Sequence, residues 1–180
     1  MQNKNIIIIS NESVSEDSNN YFCDNLDIKS IPEGLSQFFN VSLIARKSKI
    51  IRNHSIQNIK VKLGKNLFSY IYEIFQSLKE KNRSKYLVIS ITPFTLVACV
   101  ILFLFKTKPI VYLRSDGYEE YKSIFGHMGT FIYHFMFTVA SLNSNFISCR
   151  KRILKKKYGI IVSPSHLTDP WLKNYTKVNL

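Results

Sequence analysis

Tyr86-Leu87-Val88-Ile89-Ser90-Ile91-Thr92-Pro93, running on through Phe94 to Phe105 and then to Pro109-Ile110-Val111-Tyr112-Leu113, is the stretch whose reading decides the fold. Nothing between Lys85 and Lys106 carries a formal charge, and those 20 residues are just long enough to cross a bilayer as one helix. Ser123 to Cys149 is likewise uncharged apart from His127 and His134, so a two-span hairpin is the rival reading. Against it, Ser90, Thr92 and Pro93 stand where a strand-to-helix turn would put them, and β-branched residues concentrate just before that turn. The second stretch holds Gly126, Gly129, two histidines and Asn143-Ser144-Asn145. Each polar group at bilayer depth needs a partner, at about 1 to 3 kcal/mol on the milder scales. A strand over 86–90, an apolar helix over 93–105 and a strand over 109–113 make a compact βαβ crossover instead.

Working outward, the same alternation extends in both directions. Upstream, Ile6 to Ile9 is a short continuous apolar run of the kind found in strands buried on both faces. Asn11 to Asp27 is polar, acidic and without glycine, and is expected to be a loop. Ser30-Ile31-Pro32-Glu33 has the form of a capping box, predicting a helix start there. Leu35, Phe38 and Phe39 give that helix an apolar face, and Val41 to Ala45 forms the next strand. Residues 46–65 carry seven bases and no acid, with a weak alternation over 56–63 that suggests an edge strand. Leu67, Tyr70, Ile71, Ile74, Phe75 and Leu78 follow helical spacing within 66–80. Downstream, the pattern predicts a helix over 126–142, a strand over 145–148, a basic helix over 150–157, a strand over 160–162 and a short helix capped at Thr168-Asp169-Pro170-Trp171. Alternating strands and helices imply a single α/β domain, a doubly wound parallel sheet with helices on both faces.

Composition agrees. The 180 residues are 46% hydrophobic and 21% charged, which excludes a disordered chain or a coiled coil. Lys and Arg total 25 against 12 Asp and Glu, for a net charge of +13. The asymmetry is regional, because residues 1–40 hold six acids and two bases whereas 41–180 hold six acids and 23 bases. Cys23, Cys99 and Cys149 are too few for a disulfide framework, so they are expected to be buried thiols in a reducing compartment. The apolar run near the N-terminus is too short for the core of a signal peptide, and a cytoplasmic location follows as an expectation.

In a doubly wound sheet, ligands bind beyond the carboxyl ends of the strands, where helix N-termini and polar loops converge. Ser10-Asn11-Glu12, Ser90-Ile91-Thr92, Arg114-Ser115-Asp116-Gly117, Cys149-Arg150 and Ser163-Pro164-Ser165 fall there. Such turns are rich in caps anyway, so it is their number that points to a cleft. Arg114-Ser115-Asp116-Gly117 is the densest. Asp116 could accept a proton from, or orient, an attacking hydroxyl, and Arg114 could hold an anionic group bidentately. The structural alternative is that Asp116 caps the next helix while Arg114 pairs with it, Glu119 or Glu120. Asn11, Glu12, Ser90, Thr92, Ser115 and Gly117 are the candidate acceptor-binding residues around this pair.

The absence of glycine before Gly34 excludes a dinucleotide fingerprint or a phosphate-cradling loop in the first turn, and no cofactor is expected. His127 and His134 share a helix face without further ligands, so no metal is assigned. Arg150, Lys151, Arg152, Lys155, Lys156 and Lys157 suit either an anionic membrane surface, at roughly 1 kcal/mol per base near the headgroups, or a solvated face. Nucleic acid is disfavoured as a partner, since the aromatics lie in apolar runs and do not alternate with the bases.

Several of these phrases, taken in order, have a family look. The Ile6-Ile7-Ile8-Ile9-Ser10 strand, Ile31-Pro32-Glu33-Gly34-Leu35, the Pro109 to Gly117 segment and Ile161-Val162-Ser163-Pro164-Ser165 resemble the N-terminal half of GT-B glycosyltransferases of the family 4 type, over nearly the whole chain. The resemblance implies a Rossmann-like, metal-independent acceptor-binding domain that docks at the inner membrane face when the acceptor is a lipid-linked sugar. It places Arg114 and Asp116 at the turn where the family often carries a histidine-aspartate pair, with arginine in the histidine's neighbourhood here. It also implies that the nucleotide-sugar sits mainly on a second Rossmann-like domain beyond these 180 residues, so that the chain alone holds one side of a two-sided site. The reaction implied is transfer of a sugar from a nucleotide-sugar to a glycan or lipid-linked acceptor, as in cell-surface polysaccharide synthesis, with a second transferase subunit as an implied partner. A non-enzymatic membrane-associated protein and a self-contained small α/β binding module are the alternative readings.

Overall fold

The computed structural model describes residues 5–18 and 20–162. Between Lys85 and Lys106 the chain forms β6 (Ser84–Ile89), reverses at Ser90, and returns as α3 (Pro93–Leu104), so no single rod spans the uncharged stretch. No helix among the described residues is long and apolar enough to cross a membrane. Thr92 sets the reversal. Its hydroxyl accepts the Thr95 N–H, Thr95 Oγ1 accepts the Thr92 N–H, and Pro93 takes the first helical position, where no N–H is needed.

The remaining elements are β1 (Asn5–Asp17), β2 (Asn20–Cys23), α1 (Leu26–Ser36), β3 (Asn40–Lys47), β4 (His54–Ile56), β5 (Lys60–Gly64), α2 (Leu67–Ser77), β7 (Ile110–Leu113), α4 (Gly117–Ser141), β8 (Asn145–Ser148) and β9 (Gly159–Ile161). Parallel pairings join them in the order β5-β3-β1-β6-β7-β8-β9. Counting those strands along the chain, the order reads 3-2-1-4-5-6-7, that of doubly wound sheets, and it reverses between β1 and β6. The far end of β1 leaves the parallel sheet and pairs antiparallel with β2, which in turn pairs with β4.

Two apolar layers hold the sheet. Ile7 and Ile9 pack with Tyr70, Ile74, Ala98, Leu102, Tyr133 and Phe137 from α2, α3 and α4 on one face. Ile8 packs with Leu43, Ala45 and Ile28 of α1 on the other. The four isoleucines therefore divide between both faces, as expected of a central parallel strand.

Several expectations are corrected. Asn11 to Asp27 is mostly not a loop: β1 continues across an irregularity between Ile9 and Ser13, Ser13 and Val14 pairing with Arg46 and Lys47 of β3. α1 begins at Leu26, because Asn25 Oδ1 accepts the Asp27 N–H at 3.0 Å and caps it a full turn before Ser30. Pro32 consequently sits inside the helix, and Phe38, past its end, is exposed. α2 ends at Ser77 and gives way to a 3-10 turn over Leu78–Arg83. The helix expected from Gly126 starts at Gly117, and Gly126, at φ 62° and ψ −147°, is where it bends. The basic helix is only a 3-10 turn, Lys151–Leu154, ended by left-handed Lys155 and Lys156, since Ile153 and Leu154 are both drawn into the core. Cys23 and Cys99 are buried, but Cys149 is only half-buried at the end of β8. The expected turn at 163–165 and the helix at 168–171 lie outside the described residues.

Candidate functional site

The carboxyl ends of β1, β6, β7 and β8 bring the sequence candidates to one crest, where they divide into two charge clusters. Tyr112 packs with the α1 layer, whereas Val111 and Leu113 face the layer of α2, α3 and α4. Arg114 continues toward α1. Its Nη2 lies 3.7 Å from Glu12 Oε1 and its Nη1 3.4 Å from Asp27 Oδ2. Asn25 Nδ2 donates to the same Glu12 Oε1 at 2.7 Å, so one side chain both caps α1 and orients Glu12. Two carboxylates around one guanidinium leave this cluster with a formal charge of −1. Glu12 is its accessible carboxylate, with 39% of its side chain exposed against 11% for Asp27.

Asp116 belongs to the other cluster. Its Oδ1 accepts the Tyr118 N–H at 3.2 Å and caps α4, and its Oδ2 lies 3.8 Å from Lys155 Nζ and 4.0 Å from Arg152 Nε. Lys155 also sits over the Tyr118 ring, 4.9 Å from its centroid. Burial, together with the Asp116 charge, pushes the Tyr118 hydroxyl up from its ordinary range. Lys151, Arg152, Lys155, Lys156 and Lys157 line an open groove of about 1020 Å³, together with Leu154, Tyr158 and Ile161. No ion pair joins Arg114 to Asp116, Glu119 or Glu120 among the described residues. The densest turn in the sequence thus sends its cation to the acidic cluster and its carboxylate to the basic one.

The turns around these clusters are held tightly. Ser90 adopts φ 62°, a left-handed conformation uncommon outside glycine, asparagine and aspartate. It is secured by its N–H donating to the Tyr112 carbonyl at 2.9 Å and its carbonyl accepting Thr95 Oγ1 at 2.9 Å. Gly117 is required by contact: a Cβ there would come within 2.1 Å of the Tyr133 ring. Cys149 Sγ donates to the Arg114 carbonyl at 3.3 Å, tying the ends of β7 and β8. Thr92 caps α3, and Ser115 occupies the turn between the two clusters.

Sequence reasoning missed three contributors. Asn25 and Asp27 were subsumed in the acidic segment, although an Asn one residue before Leu26-Asp27-Ile28 is itself a cap signal. Arg46, directly after the apolar core of β3, donates from Nη2 to Ser13 Oγ at 3.1 Å and lies 5.0 Å from the Phe94 ring centroid. Its Nε, like Asn11 Oδ1, is buried without a hydrogen-bond partner among the described residues. Among those residues no group of three His, Cys, Asp or Glu could hold a metal ion. A smaller cleft of about 160 Å³ lies toward the amino ends of β1, β3 and β5, bordered by Asn5, Ser42, Lys60, Lys62, Ser77 and Glu80.

Comparison with known proteins finds no family model, no curated protein and no solved structure that matches this chain.

Proposed function

We propose that the chain is the acceptor side of a GT-B-type glycosyltransferase, with its site on the crest where the strand order reverses. The supporting observation is the presence there of both a carboxylate cluster (Glu12, Asp27, Arg114) and a basic groove whose Arg152 and Lys155 face Asp116. Carboxylates accept hydrogen bonds from several sugar hydroxyls at once, and a groove of lysines and arginines suits the phosphate that a lipid-linked acceptor carries. In this reading Glu12 and Asn11 receive the acceptor, with Ser90, Thr92, Ser115 and Gly117 shaping the floor. Arg114 orients Glu12 and Asp27, and Asp116 orients the attacking hydroxyl while holding Lys155 in place.

During transfer the acceptor oxygen bonds to the sugar's anomeric carbon, the bond from that carbon to the diphosphate breaks, and the acceptor proton leaves to a carboxylate. The departing diphosphate needs positive charge and helix N-termini around it, which this reading assigns mainly to a second Rossmann-like domain or subunit. Equilibrium titration of the chain with a panel of glycans and, separately, nucleotide-sugars tests the proposal. Glycan binding weakened at least about tenfold by Glu12→Gln, with weak or absent nucleotide-sugar binding, is expected. Micromolar nucleotide-sugar affinity with no glycan binding would contradict it and favour a self-contained binding module.

A further inference from the structure

The helix layer over β6, β7 and β8 carries large apolar side chains on its outer side as well as its inner one. After Thr95, α3 has no polar residue: Ala98, Cys99, Ile101 and Leu102 are buried toward the sheet, and Val100, Phe103 and Leu104 point out, Leu104 69% exposed. On α4, Met128, Phe131, Ile132 and Phe135 recur at i, i+3, i+4 and i+7 as an exposed stripe, Phe131 at 70% and Met128 at 66%. Ile124 and Phe125 extend it across the bend at Gly126, where Gly129 lets the second arm reach the Tyr121 carbonyl closely. α3 and α4 pack side by side, and together they expose more large apolar side chains than scattered surface residues account for.

We infer that this face of α3 and α4 beds into the outer few ångströms of an anionic lipid bilayer, lying in its plane. Charge selects the occupant. Lys106 and Lys108 follow α3, and Lys122 stands on the first arm of α4, all three exposed. The basic groove continues from the N-terminal end of α4 through Lys155. Glu119 and Glu120 are the acids on these two helices that offset it. A second copy of this chain would bring the same positive field, from a molecule of net charge +13, against the first. Anionic headgroups instead meet the lysines while the acyl boundary receives the aromatic side chains. This inference stands apart from the transfer reading, because binding to lipid requires no catalysis.

Flotation of the full chain with vesicles of mixed phosphatidylglycerol and phosphatidylcholine tests it. The chain is expected to float with these vesicles, and less with phosphatidylcholine alone. Phe131→Asp with Phe135→Asp should weaken binding at least about tenfold, since each ring gives up apolar burial. Phe38→Asp, on a comparably exposed position just past α1 on the opposite layer of the sheet, should leave binding unchanged. Phe131→Trp, made together with Trp171→Phe so that a single indole reports, provides an independent readout, its emission moving to shorter wavelength on vesicle addition. Absence of flotation, binding unaffected by the α4 substitutions, indole emission that does not move in the Phe131→Trp variant, or a dimer dissolved by Phe131→Asp without vesicle binding would each overturn the inference.

Discussion

Asp116 serves two neighbours with different oxygens: Oδ1 caps α4 through the Tyr118 N–H, and Oδ2 faces Lys155 and Arg152. Asp116→Asn keeps an equally good cap and gives up only an interaction with exposed cations, so it should cost less than about 1 kcal/mol. Asp116→Ala removes the cap as well and should cost about 1 kcal/mol more. Urea unfolding of the two variants measures the difference, and equal losses would show that the cap contributes nothing. The thiols give a pH dependence. Burial pushes Cys23 from 9.0 up to about 11 and Cys99 up to about 12, so the folded state holds these protons more tightly than the unfolded chain does. Their stability contribution is present in full below pH 9 and is lost as pH rises through about 11 and then about 12. Native Cys23 and Cys99 should accordingly resist a thiol reagent at about pH 8, below the ordinary thiol range, and react only on unfolding. Rapid native labelling would contradict their burial. That Asp116 could cap a helix was legible from its turn alone. The partners of Arg114 were not, because Glu12 and Asp27 are distant in sequence and become neighbours only once β6 separates β1 from β7.

At the scale of elements, two glycines in helices make opposite demands. Gly34, inside α1, has nothing within 4 Å of an added Cβ, so Gly34→Ala should stabilise by about 0.5 to 1 kcal/mol through helix propensity. Gly129 on α4 would drive a Cβ to 1.9 Å from the Tyr121 carbonyl oxygen, so Gly129→Ala should destabilise by about 1 to 3 kcal/mol and splay the arms that meet at Gly126. Thermal or urea unfolding reads both signs. Elements marked by apolar periodicity and caps, such as α3, β7 and β8, were legible to within a residue or two. The polar half of β1 was not, because Ser10 to Asp17 extends by pairing with β3 and β2 and not by its own propensity. The 150–157 segment misled in the other direction: lysine and arginine favour a helix, but consecutive burial of Ile153 and Leu154 against the sheet requires a tighter turn.

For the whole molecule, alternating strands and helices were enough to expect a parallel sheet covered on both faces, and the crest followed from the rule that ligands meet the carboxyl ends of its strands. The outer apolar face of α3 and α4 was invisible in the sequence, since 3.6-residue periodicity marks an apolar side without saying what covers it. The account depends most on the crest between β1 and β7 being where the acceptor is recognised. Amide chemical-shift mapping of the isotope-labelled chain, titrated with the glycan it binds best, tests that directly. Shifts should concentrate at residues 11–12, 25–27, 90–92 and 114–117; shifts confined to the cleft at the amino ends of the strands, around Asn5, Lys60, Lys62 and Glu80, would contradict it.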